Sequence, residues 1–382
     1  MPSHEETPRV LVDARFSAAP RGGDRCRFEL AVHLSRQASA RYAFLGYAHA
    51  ASALAPNPFP IAVTPWHPSQ HPGADWYEHV TLPLLSRRLN TDIYHGTFQV
   101  LPLIRPAPRT VLTVHDMAVF AYPQGYGTRF AAYMRRLLAA SVKNADKIVT
   151  VSEATRQELI KYIPASEEKT VSILNGVGEE FSSAAFLPDA AVAETRRRFD
   201  LATPYILFVG NLEPKKNLPR LIDAFKRLRA ASKITHNLVI VGKPLAEGPG
   251  SGIDAEDLRR GDIRFTGYVE DKDLPMLYRG ADLVAYPSLY EGFGMPVLEG
   301  MAAGVPVLTS SVSSLPEVAG GAALLVDPLD AEAIASGLFV ALTDDHWRLA
   351  ATREGLRRAS SLTWAENARQ TAAIYSQLYE TL

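Results

Sequence analysis

The sequence predicts an α/β protein of two domains, each built on a doubly wound parallel sheet with helices on both faces. Three observations lead there. Apolar, β-branched runs alternate along the chain with amphipathic stretches of helical period, which is the pattern of strand–helix–strand units and not of hairpins. At 382 residues and 47% hydrophobic content, the chain has material for more than one buried core. The segment 178–201 lacks any continuous apolar run and carries Arg196, Arg197 and Arg198, so the interdomain linker is expected there.

Composition narrows the function classes. Forty Lys and Arg stand against 41 Asp and Glu, a net charge of −1, so no global field recruits nucleic acid. A single cysteine, Cys26, excludes an internal disulfide and a cysteine-rich metal cluster, as suits a reducing compartment. The N-terminal MPSHEETPRV is acidic and polar where a secretion signal is basic and then apolar. No apolar run approaches the roughly 18 residues of a membrane helix, and the expectation is a cytoplasmic protein.

In chain order, RVLVDAR (9–15) reads as the first strand. A loop around Gly22 and Gly23 follows, then a helix with Phe28, Leu30, Ala31 and Leu34 on its apolar face. A dinucleotide fingerprint, G-x-G-x-x-G, would fall in this turn; only the Gly22-Gly23 pair stands there, which argues against a nicotinamide enzyme. By itself the pair also fits a surface loop. Apolar runs at 42–47 and 59–63, a helix over 76–88 and the short strand DIYH precede RTVLTVHD, which ends at His115-Asp116. Ligands of open α/β sheets bind beyond the carboxyl ends of strands, so His115 is well placed to meet one. A lone histidine there is otherwise structural. The amphipathic stretch 128–143 carries Arg129, Arg135, Arg136 and Lys143; a solvated charged face accounts for it, with contact to an anionic membrane surface as the alternative.

The second half opens on PYILFVGNLEPKKNLPRLIDAFKRL, a strand, a turn holding Lys215 and Lys216, and a helix for which Asn217 is a suitable cap. NLVIVG and DIRFTGYV are further strands, separated by a glycine-rich segment with no functional account. Asp271-Lys272-Asp273 matches a D-x-D metal motif but opens a helix, where Asp caps amides; no metal is assigned.

The stretch 285–306, AYPSLYEGFGMPVLEGMAAGVP, organises this half. ADLVAYP is a buried parallel strand, Glu291-Gly292-Phe293-Gly294 a flexible turn, Pro296 the first helical position and Gly304 the stop. Amides around Gly294, Met295, Val297 and Leu298 therefore point beyond the strand end, where the helix dipole favours an anion such as a phosphate. Glu291 and Glu299 flank that place. Beside a diphosphate both are tolerable if each accepts hydroxyl hydrogen bonds; the plainer reading is that they complement the helix dipole.

Glu291, seven residues, then Glu299, within YPSLYEGFGMPVLEGMAAGVPVLTS, resembles the motif of the retaining glycosyltransferases of family four, which have the GT-B fold of two Rossmann-like domains facing a central cleft. The likeness continues through SSLPEVAGGAALLVDP and FTGYVEDKDLPMLYRGADLV, and in the first half through RTVLTVHDMAVFAYP and KNADKIVTVSEATRQEL. It implies an acceptor-binding domain over 1–185, a donor-binding domain over 186–362, and a terminal helix over 363–382 that crosses back to the first domain.

The resemblance also implies roles. Lys216 would grip the donor diphosphate, helped by Lys215 and the amides from Phe293 to Leu298, including the Pro296 turn. Tyr268 and Val269 would read the base through their backbone. Glu291 would hold hexose hydroxyls, Glu299 the ribose diol, and His115 the hexose from the opposite domain, with Gly22 and Gly23 near phosphates and the acceptor entrance. Domain closure would complete the site and exclude water. Family members often carry an arginine where this chain has Asn211, which leaves a neutral hydrogen bond in place of a second cation. The implied activity is metal-independent transfer of a hexose from a nucleotide-diphosphate sugar to a saccharide or lipid-linked saccharide, with no cofactor. Likeness in WYEHVTLPLL and FVGNLEPKKNL leans toward bacterial surface-polysaccharide mannosyltransferases and GDP-mannose, with UDP-sugars as the other option. A sugar-nucleotide epimerase and a silent sugar-nucleotide-binding protein stay open as alternatives.

Overall fold

A computed structural model describes residues 7–17, 22–47, 61–63, 74–201, 203–242 and 261–382. The chain divides into two compact units, Met1–Gly176 with Trp364–Leu382, and Val177–Thr363. Part of the 59–63 run and the glycine-rich segment 243–260 lie outside the described residues.

Among the described residues the first unit holds seven parallel strands: β1 (Arg9–Asp13), β2 (Arg41–Gly46), β3 (Ile61–Val63), β4 (Ile93–Gly96), β5 (Arg109–Val114), β6 (Lys147–Thr150) and β7 (Thr170–Ser172). Their order is β3-β2-β1-β4-β5-β6-β7, so direction of travel reverses between β1 and β4, whose register sets Val10 beside Ile93. Val10, Leu11, Val12, Leu112 and Ile148 are buried because both sheet faces are covered. The last helix, Trp364–Tyr379, belongs here: Tyr375 Oη lies 2.6 Å from His95 Nδ1, and His95 Nε2 lies 2.8 Å from Thr113 Oγ1. Burial pushes the His95 imidazole down to about 3, so the ring is neutral in the fold.

The expected helix over 76–88 runs as Ala74–Trp76, a π-helical turn Tyr77–Thr81 and Leu82–Arg88. Glu78 in that turn pairs with Arg15 at 2.7 Å, and Arg15 also grips Asp13 at 2.6 Å. The helix Thr128–Asn144 exposes Phe130 and Tyr133. Its Arg135 is not part of a free charged face: the guanidinium lies 5.3 Å over the Phe120 ring and donates to the Val119 carbonyl.

The second unit holds β8 (Tyr205–Val209), β9 (Asn237–Val241), β10 (Ile263–Gly267), β11 (Leu283–Tyr286), β12 (Val307–Ser310) and β13 (Ala323–Val326). All are parallel, in the order β10-β9-β8-β11-β12-β13. The reversal falls between β8 and β11.

The 178–201 segment is not a linker. It forms the helices Glu179–Ala184 and Asp189–Arg198 within the second unit, and the units divide at Gly176 instead of 185. Phe181 is fully buried, edge-on to Tyr278 at 5.5 Å, and Arg198 pairs with Asp273. Short amphipathic helices need an apolar residue only every third or fourth position, so they show no continuous run.

Candidate active site

In an open α/β sheet the strand-order reversal leaves a crevice at the carboxyl ends. In the second unit the two turns at that point are the one after β8, with Lys215 and Lys216, and the one after β11, with Glu291. They bring Lys216 Nζ to 2.7 Å from Glu291 Oε1 and 2.7 Å from Tyr286 Oη, while Tyr286 donates to the same Glu291 oxygen at 2.8 Å. Burial alone would raise the Glu291 carboxyl, but Lys216, then Lys215, more than offset it, and the group is held below its ordinary value. Glu291 is therefore an anion, held in a buried triad with a lysine and a phenol. Burial and the neighbouring Glu291 charge push the Tyr286 hydroxyl well above its usual range, so it stays a donor.

The turn 291–294 is held by side chains that periodicity does not reveal. Ser314 Oγ donates to the Glu291 carbonyl at 2.9 Å and to the Phe293 carbonyl at 2.7 Å, and the Glu291 amide donates to Ser313 Oγ at 3.2 Å. Gly294 precedes the helix Met295–Ala302 with φ 109°, a conformation that favours glycine, and a Cβ there, 2.6 Å from Leu315 Cδ2, would have to displace that methyl. Of the amides expected to face an anion, Val297 donates to the Gly294 carbonyl at 3.0 Å and Pro296 has none. Gly294 and Met295 remain the relevant donors. Leu298 is buried, as is Phe293.

Glu299, on that helix, is 6% exposed and accepts from Tyr278 Oη at 2.7 Å. Asn211 is exposed in the turn after β8. At the end of β10, Tyr268 is exposed and Val269 buried. Gly242, at the end of β9, admits no side chain, because a Cβ would lie 2.7 Å from the Gly210 carbonyl. The backbones at the ends of β8 and β9 thus approach each other closely at Gly210 and Gly242.

Two sequence expectations change. Asn217 does not cap the helix Leu218–Ala231: it is left-handed (φ 60°), and its amide donates to the carbonyls of Pro287 and Pro328 at 2.9 and 2.7 Å, tying the β8 turn to the β11 turn. Asp273 makes no cap either; Arg198 takes its carboxylate.

In the first unit Gly22 (φ 52°) and Gly23 open the helix Gly23–Ser35 after β1. His115 follows β5, and its Nε2 lies 2.8 Å from the Thr97 carbonyl. A carbonyl only accepts, so Nε2 carries the proton. Burial, reinforced by Arg27, holds the imidazole below its ordinary value, which leaves a neutral ring with Nδ1 as an acceptor. Asp116 accepts the Ala118 amide at 2.9 Å and holds the turn.

Family models match both halves: "Glycosyltransferase Family 4" over residues 21–181 and "Glycosyl transferases group 1" over residues 193–360. Among curated proteins the chain is 36% identical to O-antigen chain mannosyltransferase B of Escherichia coli, covering 75% of this chain and 74% of that one. It is 29% identical to O-antigen chain mannosyltransferase RfbU of Salmonella typhimurium, over 67% of each. Among solved structures, a glycosyltransferase from Rickettsia africae superposes with a TM-score of 0.75 at 17% identity, covering 98% of this chain and 100% of that one. Anabaena HepE in complex with UDP and glucose superposes at 0.74 with 19% identity, covering 97% and 100%.

Proposed function

Since the chain belongs to glycosyltransferase family four and has the GT-B fold, we propose that it is a retaining, metal-independent hexosyltransferase that takes mannose from GDP-mannose. The acceptor is a saccharide or lipid-linked saccharide of a surface polysaccharide. The observation that carries this reading is the Lys216–Glu291–Tyr286 triad at the strand reversal of the second unit, beside the Gly294 helix start. The mannosyltransferase relatives support the choice of sugar.

Lys216 has three N–H donors and gives two within the triad, so one is left for a phosphate oxygen. As the glycosidic bond breaks, negative charge gathers on the nucleoside diphosphate; Lys216 and the Gly294 and Met295 amides stabilise it in place. The proton of the attacking acceptor hydroxyl passes to that departing phosphate. Glu291 Oε1 is taken by Lys216 and Tyr286, and Oε2 accepts a hexose hydroxyl. Glu299 accepts from the ribose diol, the Gly210–Gly242 backbone and the Tyr268–Val269 segment lie along the nucleoside, and His115 Nδ1 accepts a sugar hydroxyl.

A thermal-shift screen against GDP- and UDP-sugars tests the donor. A ligand at a hundred times its Kd adds about 2.7 kcal/mol to stability, so GDP-mannose should raise Tm and UDP-glucose should not. A shift with UDP-sugars alone would reassign the donor, and none with any nucleotide sugar would remove the reading. Retention is checked by NMR of the product, which keeps the donor's α configuration, and metal independence by turnover unchanged in EDTA.

A further inference from the structure

The strand reversal of the first unit, between β1 and β4, presents a different chemistry from that of the second. Two residues beyond β4 stands Phe98, 43% exposed although its neighbours Thr97 and Gln99 are buried. Its position is fixed: Gln99 is left-handed (φ 54°), its backbone amide donates to the Thr113 carbonyl at 2.9 Å, and its side-chain amide donates to the Asp116 carbonyl at 3.1 Å. The Arg27 guanidinium lies over the ring, 4.2 Å from its centroid, and the His115 ring is 5.7 Å away, tilted 44°. The ring also rests on Gly23, where a Cβ would come within 3.1 Å of it. Gly23, Arg27 and His115 thus frame an aromatic ring that keeps part of its surface open.

A second observation is independent of the ring. Arg27 and His115, which flank Phe98, also line a recess of about 20 Å³ together with Thr97, Asn175 and Trp364, room for one water or one hydroxyl. Two of its members carry buried donors without a hydrogen-bond partner among the described residues, Arg27 Nε and Trp364 Nε1, and Trp364 is 2% exposed. Buried donors are almost always satisfied, so an unpartnered pair calls for a ligand or water group. Arg27 is already neutralised by Asp24 at 2.8 Å, so the place suits an uncharged ligand better than a phosphate.

An aromatic face beside hydrogen-bonding groups is complementary to a pyranose, which offers C–H bonds on one face and hydroxyls around its edge. We propose that Phe98 is the platform on which an acceptor pyranose stacks, and that the adjoining recess takes one of its hydroxyls. The inference rests on the transferase reading and names the acceptor-recognition residue within it. Phe98 binds and positions the sugar and takes no part in bond breaking, so its loss raises acceptor KM far more than it lowers kcat.

The test uses the full chain with excess GDP present, so that the donor half stays occupied. Saturation-transfer NMR is run with methyl α-D-mannopyranoside and the corresponding glucoside, galactoside and N-acetylglucosaminide. Wild type should show saturation with at least one. Phe98→Ala and Phe98→Leu should weaken that binding about tenfold, Phe98→Tyr and Phe98→Trp should keep it, and Trp364→Phe should weaken it several-fold through the lost donor. The GDP-induced thermal shift should be the same in every variant, which also confirms folding. Absence of saturation by every glycoside in the wild type, or wild-type binding by both Phe98→Ala and Phe98→Leu, overturns the proposal. Failure of GDP and UDP to shift Tm in the wild type overturns the donor assignment instead, and the glycoside measurement still decides the platform.

Discussion

At the scale of single residues, the proposed chemistry rests first on the buried Lys216–Glu291 pair. Removing one member of a buried ion pair leaves the other uncompensated, at about 3–5 kcal/mol. Lys216→Met should therefore lower both stability and turnover, the latter by about 10²- to 10³-fold if the lysine stabilises the leaving diphosphate. The double variant Lys216→Met, Glu291→Gln separates the two effects: urea unfolding should recover much of the lost stability while kcat stays low. If kcat recovers together with stability, Lys216 is only a structural partner of Glu291. Glu299 and His115 separate by kinetic parameter. Glu299→Ala should raise donor KM, whereas Glu291→Ala and His115→Ala should mainly lower kcat. Near-wild-type kinetics in all three would remove the assignment.

At the scale of elements, the β11 turn and its helix stand or fall with Gly294. Alanine there must adopt φ 109° and meet Leu315 at 2.6 Å, a cost of about 2 kcal/mol or more. Gly294→Ala should lose the GDP-mannose thermal shift even in preparations whose circular dichroism is native, because the Met295 amide is re-aimed. Ser314→Ala, which releases the Phe293 carbonyl and leaves the Glu291 carbonyl to Ser313, should produce a milder form of the same loss. The motif around these positions was legible because strand, turn and helix start are local features. Its supports were not: Ser313, Ser314, Tyr278 and Asn217 act across sequence separations that no periodicity encodes. Asn217 read as a cap because Asn usually caps, yet here its side chain bonds two distant carbonyls.

At the scale of the whole molecule, the terminal helix is part of the first unit's core. Trp364, Ala368, Ala372 and Tyr375 are buried in it, and a chain ending at residue 363 should lose the first unit's cooperative unfolding transition while the second keeps its own. The buried His95 makes stability depend on pH. Its folded value, about 3, lies below the unfolded 6.5, so the unfolded chain binds the extra proton and stability falls as pH drops through 6.5 toward 3. At pH 5 the loss from this group is about 2 kcal/mol. Urea midpoints measured between pH 7.5 and 5 should decline, and His95→Gln should flatten the decline even though it lowers the midpoint at neutral pH. An equal slope in both proteins would show that His95 is not the titrating group.

Sequence alone determined the fold class, the strands, the glutamate pair with its helix start, and the lysine turn, because each is written in neighbouring residues through side-chain size, β-branching and backbone freedom. Tertiary structure decided what those groups meet. It made residues 178–201 part of the second unit, set Lys216 against Glu291 and Tyr286, fixed the His115 tautomer through the Thr97 carbonyl, and put Phe98 between Arg27 and His115. Those outcomes depend on which strand ends become neighbours, and strand order in a parallel sheet is chosen by the packing of distant segments, to which no local stretch of chain has access.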